Sequence, residues 1–466
     1  MTLIKSISGI RGTIGGAQGD NLTPIDIVKF TASFAEVLKN HIDFDDKLKV
    51  VVGRDGRTSG LMVNNLVCGT LLSMGVDVID VGLSTTPTVE MEVIRKQASG
   101  GIIITASHNP SQWNALKLLN DKGEFFSAQE GELVLQLAQD MPFLFAEAQH
   151  IGSYTTIEDA IDKHIEAILK LELVDREAIK NAKLKVVVDC VNSTGGIALP
   201  RLLEALGVEN VHCLNGEPTG MFAHNPEPLP EHISELMSVV KKGNYDVGFV
   251  VDPDVDRLAV VKENGEVFGE EYTLVAIADY ILQHTKGNTV SNLSSTQALK
   301  VVTEQHGCKY QAAAVGEVNV VEIMKKTNAI IGGEGNGGVI YPQLHYGRDA
   351  LVGIALFLTY MARTDQTVSQ IRSNLPDYYI SKNKIVLDDN MNTDELFDYI
   401  KNRYKKQPII DIDGIRIDFD NQWVQLRKSN TEPIIRIYAE SNSEATAANL
   451  ARKIMSDISE YSQQRL

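Results

Sequence analysis

Short runs dominated by valine and isoleucine recur along the chain, each followed by a glycine-rich or acidic loop and then by a helix-like stretch. They fall at 49–56, 101–110, 185–193, 247–256 and 329–337. Continuous apolar runs of this length, alternating with helical patterns, predict buried strands of parallel or mixed α/β sheets. Apolar residues spaced three and four apart predict helices over 24–39, capped by Thr23, and over 156–171 and 229–242. From about Tyr378 the pattern changes. Segments 382–387, 414–419, 423–427 and 434–440 read as strands and 444–461 as a closing helix, which predicts a separate α+β unit.

Polar or glycine-bearing stretches near 150, at the 263–265 turn and between 363 and 377 mark the boundaries. The expected organisation is an α/β chain of four domains, at 1–150, 151–264, 265–367 and 368–466, the last one α+β. In open α/β sheets ligands bind at the loops that follow strand ends, so the chemistry is sought there.

Composition narrows the function classes. At 466 residues the chain exceeds a single small module, and 43% hydrophobic with 23% charged residues is ordinary for a packed globular protein. No apolar run approaches the roughly 20 residues that span a bilayer. The first 16 residues carry no signal-peptide hydrophobic block, so a cytoplasmic protein with no membrane partner is expected. The 44 basic residues against 61 acidic ones give a net charge of −17, a field that disfavours nucleic acid. An anionic substrate must therefore be held by local arginines. Cys68, Cys190, Cys213 and Cys308 contain no CxxC pair, so each is expected to be a small core residue rather than part of a zinc site or disulfide framework.

Four loops carry candidate chemistry. Thr105-Ala-Ser-His-Asn-Pro110 places Ser107 directly after a buried run with His108 beside it, an arrangement suited to nucleophilic attack; its plain alternative is a hydroxyl turn with a solvated histidine. Asp252-Pro-Asp-Val-Asp256 sets three carboxylates at alternate positions, an oxygen-only ligand set that suits Mg²⁺, or else forms a solvated acidic turn. An EF-hand is excluded because its glycine and distal glutamate are missing. Arg257 follows at once and either compensates these charges or reaches substrate. The glycine-rich segment 332–338 displays Glu334 and Asn336, a combination suited to sugar hydroxyls, or else forms a plain hairpin. Residues 427–433, with Arg427, Ser429, Asn430 and Thr431, and Arg436 beyond them, gather the donors of a phosphate cradle, or else a capped turn with surface cations. Arg11 in Gly9-Ile-Arg-Gly12 and Arg57 in Gly53-Arg-Asp-Gly-Arg57 add cations, or else serve salt-bridged turns, and Lys117 is a candidate acid/base, or else a solvated lysine at a helix start.

Taken together and in this order, the four loops resemble those of the α-D-phosphohexomutase superfamily, over essentially the full chain. The resemblance implies three related mixed α/β domains plus a C-terminal α+β domain around a central cleft. It implies a phosphorylated Ser107, a Mg²⁺ held by Asp252, Asp254, Asp256 and that serine, and sugar contacts from Glu334 and Asn336. It also implies that Arg427, Ser429, Asn430 and Thr431 hold the non-transferring phosphate, with Arg11 and Lys117 flanking the transfer. One departure is visible. Many relatives end the sugar loop in Ser-Gly-His, whereas this chain has Asn336-Gly337-Gly338, a variant that resembles the branch in which phosphoglucosamine mutases and broad-specificity phosphohexomutases are found.

The implied activity interconverts hexose 6- and 1-phosphates through a 1,6-bisphosphate, with glucosamine phosphate as the expected substrate and a broad glucose/mannose enzyme as the alternative. A metal-dependent sugar phosphatase would use the same serine and carboxylates with water as acceptor. A non-enzymatic sugar-phosphate binding protein would need the serine or metal loop broken, and both are intact. The small-molecule partner is then a hexose phosphate, and a homodimer stays open.

Overall fold

The computed structural model describes residues 2–6, 9–40, 47–140, 143–386, 392–429 and 434–463. The first sheet contains β1 (Ile4–Ser6), β2 (Gly9–Thr13), β3 (Lys49–Arg54), β4 (Asp77–Leu83), β5 (Gly100–Ile104), β6 (Trp113–Leu119) and β7 (Tyr154–Thr156), in the order β1-β2-β6-β5-β3-β4-β7. The second has β8 (Lys185–Asp189), β9 (Asn210–Leu214), β10 (Val247–Val251) and β11 (Leu258–Lys262), ordered β11-β10-β8-β9. The third has β12 (Asn288–Asn292), β13 (Tyr310–Ala313), β14 (Ala329–Glu334) and β15 (Gly338–Ile340), ordered β13-β12-β14-β15.

These three sheets share one device. A buried parallel strand runs into a short loop and returns as an antiparallel neighbour: β5 to β6, β10 to β11 and β14 to β15. The three returning loops are the serine, acidic and glycine loops. The apolar runs behave as their composition demands, since every residue of β5 and β10 is buried, as expected for strands covered by helices on both faces.

The last sheet is wholly antiparallel. It contains β16 (Tyr379–Val386), β17 (Ile409–Ile410), β18 (Ile415–Phe419), β19 (Gln422–Lys428) and β20 (Ile434–Ser441), ordered β16-β20-β19-β18-β17, with helix Glu444–Gln463 packed on it. It docks on the third sheet. Arg416 Nη1 donates to the Leu293 carbonyl at 2.8 Å and Ser294 Oγ to Gln425 Oε1 at 2.6 Å.

Packing couples the second and third sheets more tightly than the first two. Helix Ala350–Thr364 is apolar nearly all round and lies in a core drawn from both, with Phe357 edge-on to Phe249 and Phe268 at 6.0 and 5.4 Å between centroids. A helix hydrophobic on every face has to be buried. Its N-cap, Asp349, accepts from the amides of Leu351 and Val352, and this fixes the residue before it, Arg348. Val368, Ile371 and Leu375 pack into the same core, so the last sheet starts only at Tyr379. The observed helices Ala160–Ile168 and Ser234–Gly243 are shorter at their N-terminal ends than the periodicity predicts.

Candidate active site

Ser107 stands three residues beyond β5 in a left-handed backbone conformation, φ 48°. A non-glycine residue held there marks a conformation that the surroundings impose. The loop is not the open hydroxyl turn of the plain alternative, since Ser107 is only 7% exposed. Its amide donates to Thr105 Oγ1 at 2.9 Å and its hydroxyl to Asp252 Oδ2 at 2.6 Å, across the boundary between the first two sheets.

Arg57 is the clamp behind the loop. Its guanidinium is fully buried and donates to the carbonyls of Ser107 (2.5 Å), Asn109 (2.6 Å), Pro110 (2.6 Å) and Trp113 (3.0 Å), and to Asp55 at 3.0 Å. Asp55 in turn accepts from Thr105 Oγ1 at 2.6 Å. The sequence flags Arg57 only as one of two arginine-bearing turns; the carbonyls it gathers lie 50 to 56 positions away. Arg57→Lys keeps the charge but loses the planar fork. Misplacing the serine by about 1 Å is expected to lower turnover by roughly 10²-fold while the fold persists. Steady-state kinetics alongside a thermal melt checks this; unchanged kcat would show the clamp is dispensable.

The acidic loop follows β10. Asp252, Asp254 and Asp256 are completely buried, with one carboxylate oxygen of each lying within 4.8 Å of the others. Val255, between the last two, has φ 63°, a second imposed left-handed residue and an outlier for a β-branched side chain. Asp252 Oδ1 accepts from the amides of Asp256 and Arg257. Asp254 Oδ2 accepts from Thr86 Oγ1 at 2.5 Å and Lys117 Nζ at 2.7 Å, and Asp256 Oδ2 from Arg348 Nη2 at 2.7 Å. Asp254 Oδ1 and Asp256 Oδ1 have no hydrogen-bond partner among the described residues although both are buried. Buried carboxylate oxygens left open in a hard, oxygen-only donor set fit a divalent cation.

Charge around the loop is uneven. Burial and the two neighbouring carboxylates push Asp252 upward. At Asp256 burial acts the same way, but Arg348, Lys117 and Arg257 outweigh it and hold the group below the usual carboxylate range. Burial would lower Lys117, yet Asp254 and Asp256 overcome it, so its ammonium stays charged. His108 is held neutral, first by burial and then by Arg257, and its buried Nδ1 has no partner among the described residues. Arg11 is lowered by burial and by the cations Arg257 and Arg436, which places guanidiniums from the first, second and last sheets in mutual range. Across β19 and β20, Arg427 sits opposite Arg436, and Asp413 lies 3.3 Å from Arg427 Nε. Ser429 is buried beside them and its amide donates to the Ile434 carbonyl at 2.9 Å. Asn430 and Thr431 lie outside the described residues.

The glycine loop is not the flexible display its sequence implies. Glu334 ends β14 and is 5% exposed, with Oε1 accepting from Asn292 Nδ2 and the Gly316 amide and Oε2 from Arg348 Nη1 at 2.9 Å. Asn336 is half-buried in the turn and accepts from the Gly338 amide. Arg348 also donates to Glu317 through Nε at 2.9 Å, so one guanidinium joins Asp256, Glu317 and Glu334. A Cβ at position 338 would lie 2.3 Å from Arg348 Cδ. Glycine there, in place of a histidine, is what lets Arg348 reach the acidic loop.

A buried relay supports Arg348 from behind. His164 Nε2 lies 2.9 Å and His345 Nε2 3.3 Å from Asp349 Oδ2, and His345 Nδ1 lies 3.3 Å from Glu90. Burial would lower His345, but Asp349 and Glu90 outweigh it and push the imidazole up to about 10. Burial pushes Glu90 up as well. Glu90, His164 and Asp349 come from helices attached to three different sheets, so this cluster fixes their mutual placement. Among the described residues no helix is long and apolar enough to cross a membrane.

Sequence profiles of four consecutive units match this chain: phosphoglucomutase/phosphomannomutase alpha/beta/alpha domain I at 3–142, domain II at 162–265, domain III at 269–379, and the C-terminal domain at 384–456. The chain is 36% identical to the phosphoglucomutase/phosphomannomutase of Thermococcus kodakarensis, covering 94% of this chain and 95% of that protein. It is 33% identical to the "Probable phosphoglucosamine mutase" of Pyrococcus horikoshii, covering 96% and 95% respectively. Among solved structures, a phosphoglucomutase/phosphomannomutase family protein from Burkholderia thailandensis superposes with a TM-score of 0.84 at 24% identity, covering 98% of both chains.

Proposed function

We propose that this chain, which belongs to the phosphoglucomutase/phosphomannomutase family and is a hexose-phosphate mutase, an intramolecular phosphotransferase, prefers glucosamine phosphate and works with Mg²⁺ and a phosphorylated Ser107. One observation carries the amino-sugar preference. Beside the sugar loop two carboxylates, Glu317 and Glu334, both lean on one guanidinium, that of Arg348, which they share with Asp256, and the imidazole of the Ser-Gly-His variant is replaced by Gly338. That surplus of negative charge beside the sugar loop favours an ammonium at the sugar's 2-position over a neutral hydroxyl. Glucose and mannose phosphates are then slower substrates.

Asp252, Asp254 and Asp256 would hold the Mg²⁺, with an oxygen on Ser107 as a further ligand. When bound, the ion supplies charge neutralisation for the transferring phosphoryl group. The chain's own residues do the rest. Arg57 fixes the serine loop, and Lys117, held charged beside Asp254, offsets negative charge on the moving group. In the forward step the bond from phosphorus to Ser107 Oγ breaks and a bond to the free sugar hydroxyl forms. The sugar hydroxyl's proton would pass to neutral His108 and a proton would return to Ser107 Oγ, which ends the step as the hydroxyl that donates to Asp252. Arg257, Arg427 and Arg436, with Ser429, Asn430 and Thr431, would grip the phosphate that stays, Arg11 would flank the transfer beside Lys117, and Glu334 and Asn336 would border the sugar. Because the bisphosphate has to turn over between the two transfers, this grip must accept either end of the sugar, for which several redundant guanidinium donors are suited.

The test compares the 1- and 6-phosphates of glucosamine, glucose and mannose by kcat/KM, scoring isomerised sugar phosphate and free phosphate separately. Glucosamine phosphate is expected to give the highest value, with free phosphate a trace product. A higher value for glucose or mannose phosphate overturns the preference, and free phosphate as main product overturns the mutase reading in favour of hydrolysis.

A further inference from the structure

Two of the four cysteines, 23 positions apart in the chain, meet in the second domain. Cys190 directly follows β8, and Cys213 lies in β9, its parallel neighbour. Their sulfurs are 3.7 Å apart, and both are free thiols, Cys190 buried and Cys213 exposed. Cys190 is the buried core residue expected of it, whereas Cys213 is exposed and the two touch. A disulfide needs sulfurs about 2.05 Å apart, so closure requires a modest approach of two side chains already in contact.

The two thiols differ in the way a reactive pair does. The hydrogen bond from Cys190 lowers Cys213, while that same contact and burial raise Cys190. The thiol of the exposed residue, Cys213, is the one that ionises more readily, and the thiolate is the nucleophile.

The chain leaving Cys190 leads straight to the active site. Val191 and Asn192 are both left-handed, at φ 46° and 52°, and they deliver Ser193 and Thr194 to the acidic loop. Ser193 Oγ donates to the Pro253 carbonyl at 2.6 Å and Thr194 Oγ1 donates to it at 2.9 Å, between Asp252 and Asp254. Ser193 Oγ also accepts from the Gly56 amide at 2.9 Å, next to the Arg57 clamp.

We propose that Cys190 and Cys213 form a reversible thiol-oxidation site, closed to a disulfide by a hydroperoxide, and that closure displaces residues 190–194 and so loosens the acidic loop. In the first step the Cys213 thiolate attacks a peroxide oxygen, the O–O bond breaks, and the departing hydroxide takes a proton to leave as water. Cys213 is then a sulfenic acid. The Cys190 sulfur, giving up its proton, attacks the Cys213 sulfur; the S–S bond forms, the S–O bond breaks and a second water leaves. Two thiols and one hydrogen peroxide yield one disulfide and two waters, two electrons passing from sulfur to oxygen. A dithiol reductant reverses the bond by exchange.

The experiment treats the reduced full-length enzyme with hydrogen peroxide. The expected product is lighter by two hydrogen atoms, has lost two titratable thiols, and yields a peptide linking Cys190 to Cys213. In the same samples kcat/KM is expected to fall several-fold and to recover with dithiothreitol. Cys213→Ser, at an exposed position, is expected to keep basal activity, to form no link and to resist peroxide; Cys190→Ala is expected to trap a dimedone-reactive sulfenic acid on Cys213. The thiol count and the peptide map do not depend on the mutase reading. Over-oxidation of Cys213 without a link, a link only between two chains, a linked enzyme with full activity, or equal peroxide sensitivity in Cys213→Ser would each overturn the proposal.

Discussion

Ser107→Ala is expected to lose mutase activity by several orders of magnitude, because it removes the oxygen proposed to carry the phosphoryl group between sugar ends. The hydroxyl is 2.6 Å from Asp252 Oδ2, so the variant also leaves a buried carboxylate oxygen without that donor, at a cost of about 1–3 kcal/mol. Alanine inherits φ 48° with no side-chain bond to hold it there. The fold is nevertheless expected to survive, since the Arg57 clamp grips loop carbonyls rather than the serine side chain. Intact-mass measurement is expected to find one phosphate on the wild-type chain and none on the variant. Phosphate retained by the variant on another serine, with activity intact, would sink the assignment of Ser107.

The parts of this site that could be read in the sequence are those whose signal is local. A short run such as Gly-Gly-Ile-Ile-Ile reads as a buried strand through its length, its glycines and its β-branched residues, and a hydroxyl or three carboxylates directly after such a run then stand at a strand end. The same logic locates β8, β10 and β14. It weakens at β16, where Ser381, Lys382, Asn383 and Lys384 give an edge strand paired only with β20, and the observed strand begins three residues earlier than expected.

The residues that hold the loops in place were not legible, for a physical reason. Arg57, Thr86, Glu317 and Arg348 act across long stretches of chain, at separations of 50 positions for Arg57 to Ser107, 168 for Thr86 to Asp254 and 92 for Arg348 to Asp256, and the last two of these contacts also cross from one domain to another. No periodicity encodes such distances. Arg348 did leave one trace, the glycine at 338, but its meaning depends on a side chain packed against it from another segment. The pairing of Cys190 with Cys213 was hidden likewise: only the parallel register of β8 and β9 brings them together.

Asp254→Asn is expected to cost nearly as much as removal of the serine. Changes to residues that merely support a metal ligand cost about 10–100-fold in affinity or activity, and a direct ligand is expected to cost no less. Asp254 does two jobs: Oδ1 is open for a cation, while Oδ2 accepts from Thr86 and Lys117. The amide is isosteric, yet it removes the charge that both the cation and the Lys117 ammonium require, and it turns an NH₂ toward one of those groups. Of the two carboxylates that hold Lys117 charged, the nearer would be gone; Asp256 is 3.4 Å away. Wild-type activity is expected to vanish in excess chelator and to return with Mg²⁺ in preference to Zn²⁺, since the ligands are all hard oxygens. The variant is expected to need far more Mg²⁺ for what activity it keeps, with circular dichroism confirming the fold. Full wild-type turnover in excess chelator, or a variant with an unchanged Mg²⁺ requirement, would show that these three carboxylates serve the fold and not the phosphoryl transfer.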